Sequence, residues 1–359
     1  MPPSIEVGAF QAYFMFDVAD TIDLSRLGAV GEGTARAPLQ LRLEASPSFI
    51  EFLEAPVIAR FPDLPGGIGV RAKIFDYGVV SIRLTIPFAG SWTKFAEFTR
   101  RLRSDPTIPQ LARKTLDSLL SDIEPALDEA HSPLAEDYFI FEIESFSPPL
   151  HSARLLSDYA PALASLVMCE ERSLMPTEQE EALRVNSSYF EEDLAVVQWD
   201  TAFVYDRRDA AGAVEDILEF ANTQLLELRR HDTLLDAELE VIYKLEPKSG
   251  YRPFGRNESQ KAADRIRYLI VDVFELTDRS SNVLKIIGDA YYARLYRGAA
   301  QRLGLKDWQR QIDLKLKSVG DMYRFFNDQA QTARSEFFEI IIILLIAFEI
   351  VIGIIALRR

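Results

Sequence analysis

Residues 68–87 read IGVRAKIFDYGVVSIRLTIP: two β-rich runs, Ile68 to Phe75 and Val79 to Pro87, flank Asp76-Tyr77-Gly78. Valine, isoleucine and threonine suit a pleated, half-buried surface, and a glycine between two such runs marks a hairpin turn. The hairpin places the first part of the chain among sheet proteins. Working outward, Ala9 to Phe16, Gln40 to Glu44 and Tyr138 to Ile143 have strand character, and Leu194 to Tyr205 closes the region as a strand or strand pair. Helical stretches are expected at Trp92 to Arg103, Ile108 to Ala130 and Ala153 to Cys169. Strands and helices alternate without regular βαβ spacing, so residues 1–209 read as a mixed α+β domain rather than a doubly wound sheet.

Beyond Asp209 the period changes. From Ala213 apolar residues step by three and four through Val214, Ile217, Ala221, Leu225, Leu228, Leu235, Leu239 and Ile242, with Asp232 on the same seam. Pro247, Gly250, Pro253 and Gly255 interrupt it. A second seam runs from Ala262 to Ile287 and includes Ser280. Gly304 marks a turn, and a third seam runs from Trp308 to Ala333. The expected architecture of residues 210–335 is a bundle of long antiparallel helices with coiled-coil-like packing.

Residues 336–359 form a third region. Phe337 to Leu357 reads FFEIIIILLIAFEIVIGIIAL, with sixteen Ile, Leu, Val or Phe residues and two charges, Glu339 and Glu349. As a helix it spans roughly 30 Å, the thickness of a hydrocarbon core. The large apolar residues favour insertion by about 5–10 kcal/mol, against a cost on the order of 3 kcal/mol for a central carboxylate. A single C-terminal transmembrane helix is therefore expected. Glu339 would lie at the interface. Glu349 would meet another copy of the helix as a shared or protonated carboxyl, so both residues are candidates for anchor pairing in a homo-oligomer. The N-terminus carries no secretory or transit pattern. The expectation is a single-pass protein of the inner, cytoplasmic membrane with its body in the cytoplasm.

Charge is divided unevenly. The chain carries 55 acidic and 40 basic side chains, a net of -15. Residues 1–210 hold 33 acidic and 18 basic groups, so the whole imbalance lies there, which argues against nucleic-acid binding by the first region. Residues 244–267 invert the balance, with seven basic groups against three acids. Tyr251 and Phe254 interleave with Arg252 and Arg256 in this connection. These four residues are candidates for contact with RNA, an acidic protein or anionic headgroups, and a solvated turn is the alternative.

No catalytic motif is found. Pro65-Gly66-Gly67-Ile68-Gly69 lacks the Lys-Ser/Thr ending of a phosphate loop. The three histidines, His131, His151 and His231, show no metal-ligand spacing. Glu227 and His231, one helical turn apart, read as a surface pair. The acidic groups Glu178, Glu180, Glu181 and Glu191, Glu192, Asp193 read as solvated faces. Neither a cofactor nor a metal is expected. The single cysteine, Cys169, excludes an internal disulfide and suits a reducing compartment.

Three segments resemble the RMD/YagE family: the hairpin FDYGVVSIRL (Phe75 to Leu84), the helix FANTQLLELRRHD (Phe220 to Asp232) and the terminal RSEFFEIIIILLIAFEI (Arg334 to Ile350). The place of a Pro-Asp-aromatic-Trp stretch in eukaryotic members is taken here by Ile287-Gly288-Asp289-Ala290-Tyr291-Tyr292, which points to a bacterial branch. The resemblance implies membrane attachment and oligomerisation. The composite expectation is a non-enzymatic, self-associating membrane scaffold. The alternatives are an enzyme with an acidic, possibly metal-dependent site in the first region, or an RNA- or ribosome-tethering module.

Overall fold

The computed structural model describes residues 2–29, 49–57, 67–244, 271, 290–321, 324, 339, 341–343, 345 and 346. An eight-stranded sheet organises the first region, in the order β3-β4-β5-β1-β7-β10-β9-β8. The strands are β1 (Ser4–Asp17), β3 (Phe49–Val57), β4 (Ile68–Phe75), β5 (Val79–Gly90), β7 (Leu134–Ser147), β8 (Asn186–Ser187), β9 (Leu194–Val197) and β10 (Thr201–Tyr205). A separate two-stranded ribbon joins β2 (Thr21–Ile22) to β6 (Leu127–Asp128). All pairings in the large sheet are antiparallel except β10 with β7, which is parallel. The expected mixed α+β class holds.

The hairpin forms as read, with β4 and β5 paired from Gly69↔Thr85 to Ile74↔Val80. Gly78 has φ +88°, and a Cβ there would lie 1.8 Å from the carbonyl oxygen of Ala19. Glycine is required both by its left-handed backbone and by that close approach. Val18 N–H donates to the Gly78 carbonyl at 3.0 Å, and Ile22 N–H to that of Asp76 at 2.9 Å. The turn thereby holds the end of β1.

Side-chain alternation divides the sheet into two faces. Phe10, Ala12, Phe14 and Phe16 of β1, Val70, Ala72 and Ile74 of β4, Val80, Ile82 and Leu84 of β5, and Phe139, Phe141 and Ile143 of β7 belong to one continuous apolar core. Helices α1 (Trp92–Ser104) and α2 (Thr107–Ile123) complete it with Trp92, Phe95, Leu102, Ala112, Leu116 and Leu119. Ser91 caps α1 by accepting from Lys94 N–H, and Asp105 accepts from Thr107 N–H ahead of α2 at 2.9 Å. Asp193 does similar work further along, accepting from the amides of Tyr189 and Phe190.

Two expected helices are shorter than read. Ile108 to Ala130 ends at Ile123, and Pro125 lies in the 3-10 turn that follows. Ala153 to Cys169 is two helices, α3 (Ser152–Ser157) and α4 (Ala160–Val167), because Pro161 cannot donate within a helix and sits in the first turn of a new one. Helix α5 (Pro176–Leu183) and the two long-helix segments α6 (Arg208–Lys244) and α7 (Ala290–Arg302) follow. A turn at Gly304, with φ +67°, precedes a helical stretch at 305–321.

The chain forms two compact units, Met1–Arg230 with Glu275–Trp308, and His231–Phe274 with Gln309–Arg359. Helix α6 up to Arg230 and all of α7 belong to the unit of the sheet. In that unit Tyr296 donates to Gln224, and Arg302 bonds Glu181 and Gln198, fastening α7. In the second unit Lys315 is paired with Asp232 at 2.7 Å and Asp236 at 2.6 Å. Asp232 is thus an ion-paired residue of the seam. Leu235, Ile312 and Val319 are buried as the seams require. Gln40 to Glu44, Ser280 and most of the second seam lie outside the described residues.

Among the described residues no helix is long and apolar enough to cross a membrane. Most of Phe337 to Leu357 lies outside them. The described part, residues 339, 341–343, 345 and 346, is helical.

Candidate functional site

The second face of the sheet is polar. Gln11, Tyr13 and Asp17 of β1 alternate with the core phenylalanines. Lys73 of β4, Ser81 and Arg83 of β5 and Glu142 of β7 occupy the same face by register, with Tyr13 opposite both Arg83 and Tyr138, and Lys73 opposite Ser81. Helix α6 meets them with Glu215, Asp216 and Glu219, and it buries Val214, Ile217, Leu218 and Ala221.

Three contacts fix the helix on this face. Lys73 Nζ donates to Asp216 Oδ1 at 2.8 Å and also to Glu219 Oε2. Arg83 Nη1 donates to Glu215 Oε2 at 2.9 Å and to the Tyr13 hydroxyl at 3.2 Å. Gln11 Nε2 bridges Glu142 Oε2, at 2.6 Å, and Glu215 Oε1. One turn further, Tyr77 and Thr223 share a hydroxyl hydrogen bond of 2.9 Å. Gln11, Lys73, Glu215 and Glu219 are all buried.

Burial governs the protonation of this network. Burial pushes the Glu215 carboxyl up to about 8, although the Arg83 guanidinium opposes it. Burial likewise raises Asp216 against the pull of Lys73. Burial alone would lower Lys73, but Glu219 and Asp216 outweigh it and keep the ammonium charged. The Tyr13 hydroxyl is pushed well above its ordinary value, mainly by burial. A second ionic group lies at the end of β1, where Arg230 of α6 meets Asp17 and Asp20.

The chemistry available here is proton holding and ion pairing under a helix. These carboxylates are engaged by Gln11, Lys73 and Arg83. Among the described residues no group of three or more histidine, cysteine, aspartate or glutamate side chains is arranged to hold a metal ion. The Cys169 thiol is raised by burial, which suppresses the reactive thiolate.

Of the residues singled out from sequence, Glu339 is helical and exposed. Glu349, Tyr251, Arg252, Phe254 and Arg256 lie outside the described residues. Glu227 and His231 are not a surface pair: both are buried, because α6 turns that side inward. Glu178, Glu180, Glu191 and Glu192 face solvent, whereas Asp193 is buried and caps a loop. The buried network had a legible signal. Polar residues at 11, 13 and 17, at 71 and 73, and at 81, 83 and 85 alternate with apolar ones, and the acids at 215, 216 and 219 share one helix face.

Residues 7–211 match the family described as "Uncharacterized protein MJ0711, N-terminal domain". A relative from the archaeon Methanocaldococcus jannaschii, named "Uncharacterized protein MJ0711", is 24% identical over 255 residues, covering 68% of this chain and 77% of that protein. No solved structure matches the chain. These matches overturn the resemblance to the RMD/YagE family and its bacterial branch. The segments that suggested it, a glycine hairpin, an amphipathic helix and an isoleucine-rich run, are forms that unrelated folds share, so they identify structure rather than descent.

Proposed function

From the chain's place in the MJ0711 N-terminal-domain family, to which it belongs through residues 7–211, we propose that it is a non-enzymatic, self-associating scaffold held to a membrane by residues 337–357. The observation that carries this reading is the state of the described helical residues in that segment. Ile342, Ile343, Leu345 and Ile346 are 52–61% exposed. Large aliphatic side chains grouped on one short helical run call for an apolar phase, either lipid or another copy. The sixteen aliphatic and phenylalanine residues of 337–357 extend that demand along the segment. Glu349 would then require a partner carboxyl from a second helix. The basic connection at 244–267, with Tyr251, Arg252, Phe254 and Arg256, would supply the contact surface, for an acidic protein, anionic lipid or RNA.

An enzymatic reading has one observation in its favour, the raised carboxyls beneath α6. Each has a hydrogen-bonded or ion-paired partner within the fold, which supports a structural role for the network.

Partition of the full chain tests the proposal. The intact protein is expected to float with phospholipid vesicles in high salt and to run as an oligomer in mild detergent. Ile342→Glu with Ile346→Glu is expected to abolish flotation, and Glu349→Leu to lower the oligomer mass without releasing the protein from vesicles. A wild-type chain that stays in the aqueous phase as a monomer overturns the reading.

A further inference from the structure

Asp17, the last residue of β1, is buried to within 1% of full exclusion from solvent. Arg230 Nη1 approaches both of its carboxyl oxygens, but only at 3.3 Å, while Nη2 of the same guanidinium bonds Asp20 closely. The other neighbour of Asp17 is His131, from the loop between β6 and β7, whose Nε2 lies 3.2 Å from Asp17 Oδ1. Backbone bonds hold both partners in place. Val18 N–H donates to Gly78, and His131 N–H donates to Val18, each at 3.0 Å.

The imidazole has two nitrogens and faces two oxygen acceptors. Nδ1 lies 3.1 Å from the carbonyl oxygen of Ser132. A carbonyl oxygen only accepts, so Nδ1 carries the hydrogen there. The neutral ring is then left with a bare lone pair on Nε2, which is buried and makes no hydrogen bond as a donor. Two lone pairs 3.2 Å apart in a buried site repel unless a proton stands between them. The charged groups around the pair are Arg230 from α6 and Asp20 from the turn after β1. Burial acts on both members in the same sense: it pushes the Asp17 carboxyl up to about 7 and lowers the His131 imidazole. The proton therefore resides on Asp17 and is donated to Nε2.

We propose that Asp17 and His131 form a proton-driven tautomer switch at the point where α6 is fastened to the sheet. In the protonated state Asp17 O–H donates to Nε2, Nδ1–H donates to Ser132, and Arg230 is held mainly by Asp20. On loss of the proton to solvent, the Asp17 carboxylate becomes an acceptor on both oxygens. It then takes an N–H from Nε2, whose hydrogen is gained from water as Nδ1 gives its own up, and it draws Arg230 into a charge-assisted contact. The Nδ1 contact to Ser132 opens. One proton leaves, the ring stays neutral, and the hold on Arg230 passes from Asp20 toward Asp17. Arg230 is the last residue of the first unit on α6, so the switch acts on the helix where that unit ends. The inference stands independently of the membrane reading.

Long-range proton–nitrogen correlation spectra of the intact, histidine-labelled protein test it. The chain has three histidines, and His131→Gln identifies the His131 signals by their loss. The wild-type ring is expected as the Nδ1–H tautomer at pH 6 and the Nε2–H tautomer at pH 8.5, with a midpoint near 7. Asp17→Asn is expected to hold the Nδ1–H form at both, because its amide donates to Nε2 at any pH. One tautomer throughout the wild-type series, or ordinary conversion to imidazolium, overturns the proposal. So does a switch that persists in Asp17→Asn. The wild-type spectra decide the matter even if that variant does not fold.

Discussion

The two faces of the sheet are built on opposite principles. Under α1 and α2 lie Phe10, Phe14, Phe95, Phe141 and their aliphatic neighbours, a core whose contacts are interchangeable in kind and nondirectional. Under α6 lie Lys73, Arg83, Gln11 and Tyr13, whose partners on the helix are individually assigned. Apolar burial supplies stability on the first face. On the second, removing charges from water roughly cancels what their pairing returns. What the directed contacts add is register: Lys73 reaches Asp216 and Glu219, one turn apart on α6, and Arg83 reaches Glu215. A helix that slid by a turn would bury unpaired charge.

The largest expected effect breaks this contrast at its support. Gly78→Val places a branched side chain at a left-handed position that already leaves only 1.8 Å to the Ala19 carbonyl, and the turn that holds β1 against both faces should fail. The expected outcome is loss of the cooperative thermal transition.

Next in size is the difference between breaking a pair and replacing it. Lys73→Ala removes the ammonium that pairs directly with Asp216 and Glu219 in a buried site and should cost about 3–5 kcal/mol. The triple replacement Lys73→Met, Asp216→Leu, Glu219→Leu removes every charge of the group and should recover most of that loss. Phe141→Ala on the apolar face should cost about 3–5 kcal/mol as well, with no compensating partner change to rescue it. Denaturant midpoints of the four proteins distinguish the faces. A triple variant as unstable as Lys73→Ala would show that the ion pairs contribute net stability, not register.

The faces should also differ in their response to pH. Glu215 holds its proton up to about pH 8 in the folded chain but releases it at ordinary carboxyl values when unfolded. A raised folded value contributes stability that is complete below the unfolded value and is lost as pH rises through the folded one. Asp17, raised to about 7, and Asp216 act in the same direction. Unfolding free energy should therefore fall from about pH 4 toward pH 8, with a slope near 1.4 kcal/mol per pH unit for each proton retained. Glu215→Gln should flatten the slope, while Phe141→Ala should lower the whole curve and leave its shape intact. Equal slopes in the wild type and Glu215→Gln would place the retained proton elsewhere.

How much of this was readable beforehand follows the same division. The β4–β5 hairpin, β1, and the long period of α6 came through because alternation and three-four spacing are local signals. The break at Pro161 was also local, and the largely apolar run of Ala160–Val167 obscured it. The polar face was written in the same alternation, at Gln11, Tyr13 and Asp17 and at Lys73 and Arg83. Its meaning depended on partners at Glu215, Asp216 and Glu219, up to 204 positions away. Charged residues spaced along a strand read locally as a solvated face, and only the docking of α6 turns them inward. For the same reason Glu227 and His231 read as a surface pair although both are buried.

The smallest effect offers the finest comparison. Tyr77 belongs to the hairpin turn, stacks on Phe75 with ring centroids 5.1 Å apart, and shares its hydroxyl bond with Thr223 of α6. Tyr77→Phe keeps the ring and removes only the hydroxyl, so it isolates one neutral hydrogen bond on the polar face. The expected cost is about 1 kcal/mol, well below that of uncovering either carboxylate beside Lys73. Thr223→Val should cost somewhat more, because it removes the other end of the same bond and also the bond that Thr223 donates to the Phe220 carbonyl at 2.8 Å. The double variant should cost less than the sum of the two, since both substitutions remove the same bond between turn and helix. Additive losses in that cycle would mean that the two hydroxyls act separately. The contact between turn and helix would then lie in the packing of Phe75 and Tyr77, as on the apolar face, and not in directed polar pairing.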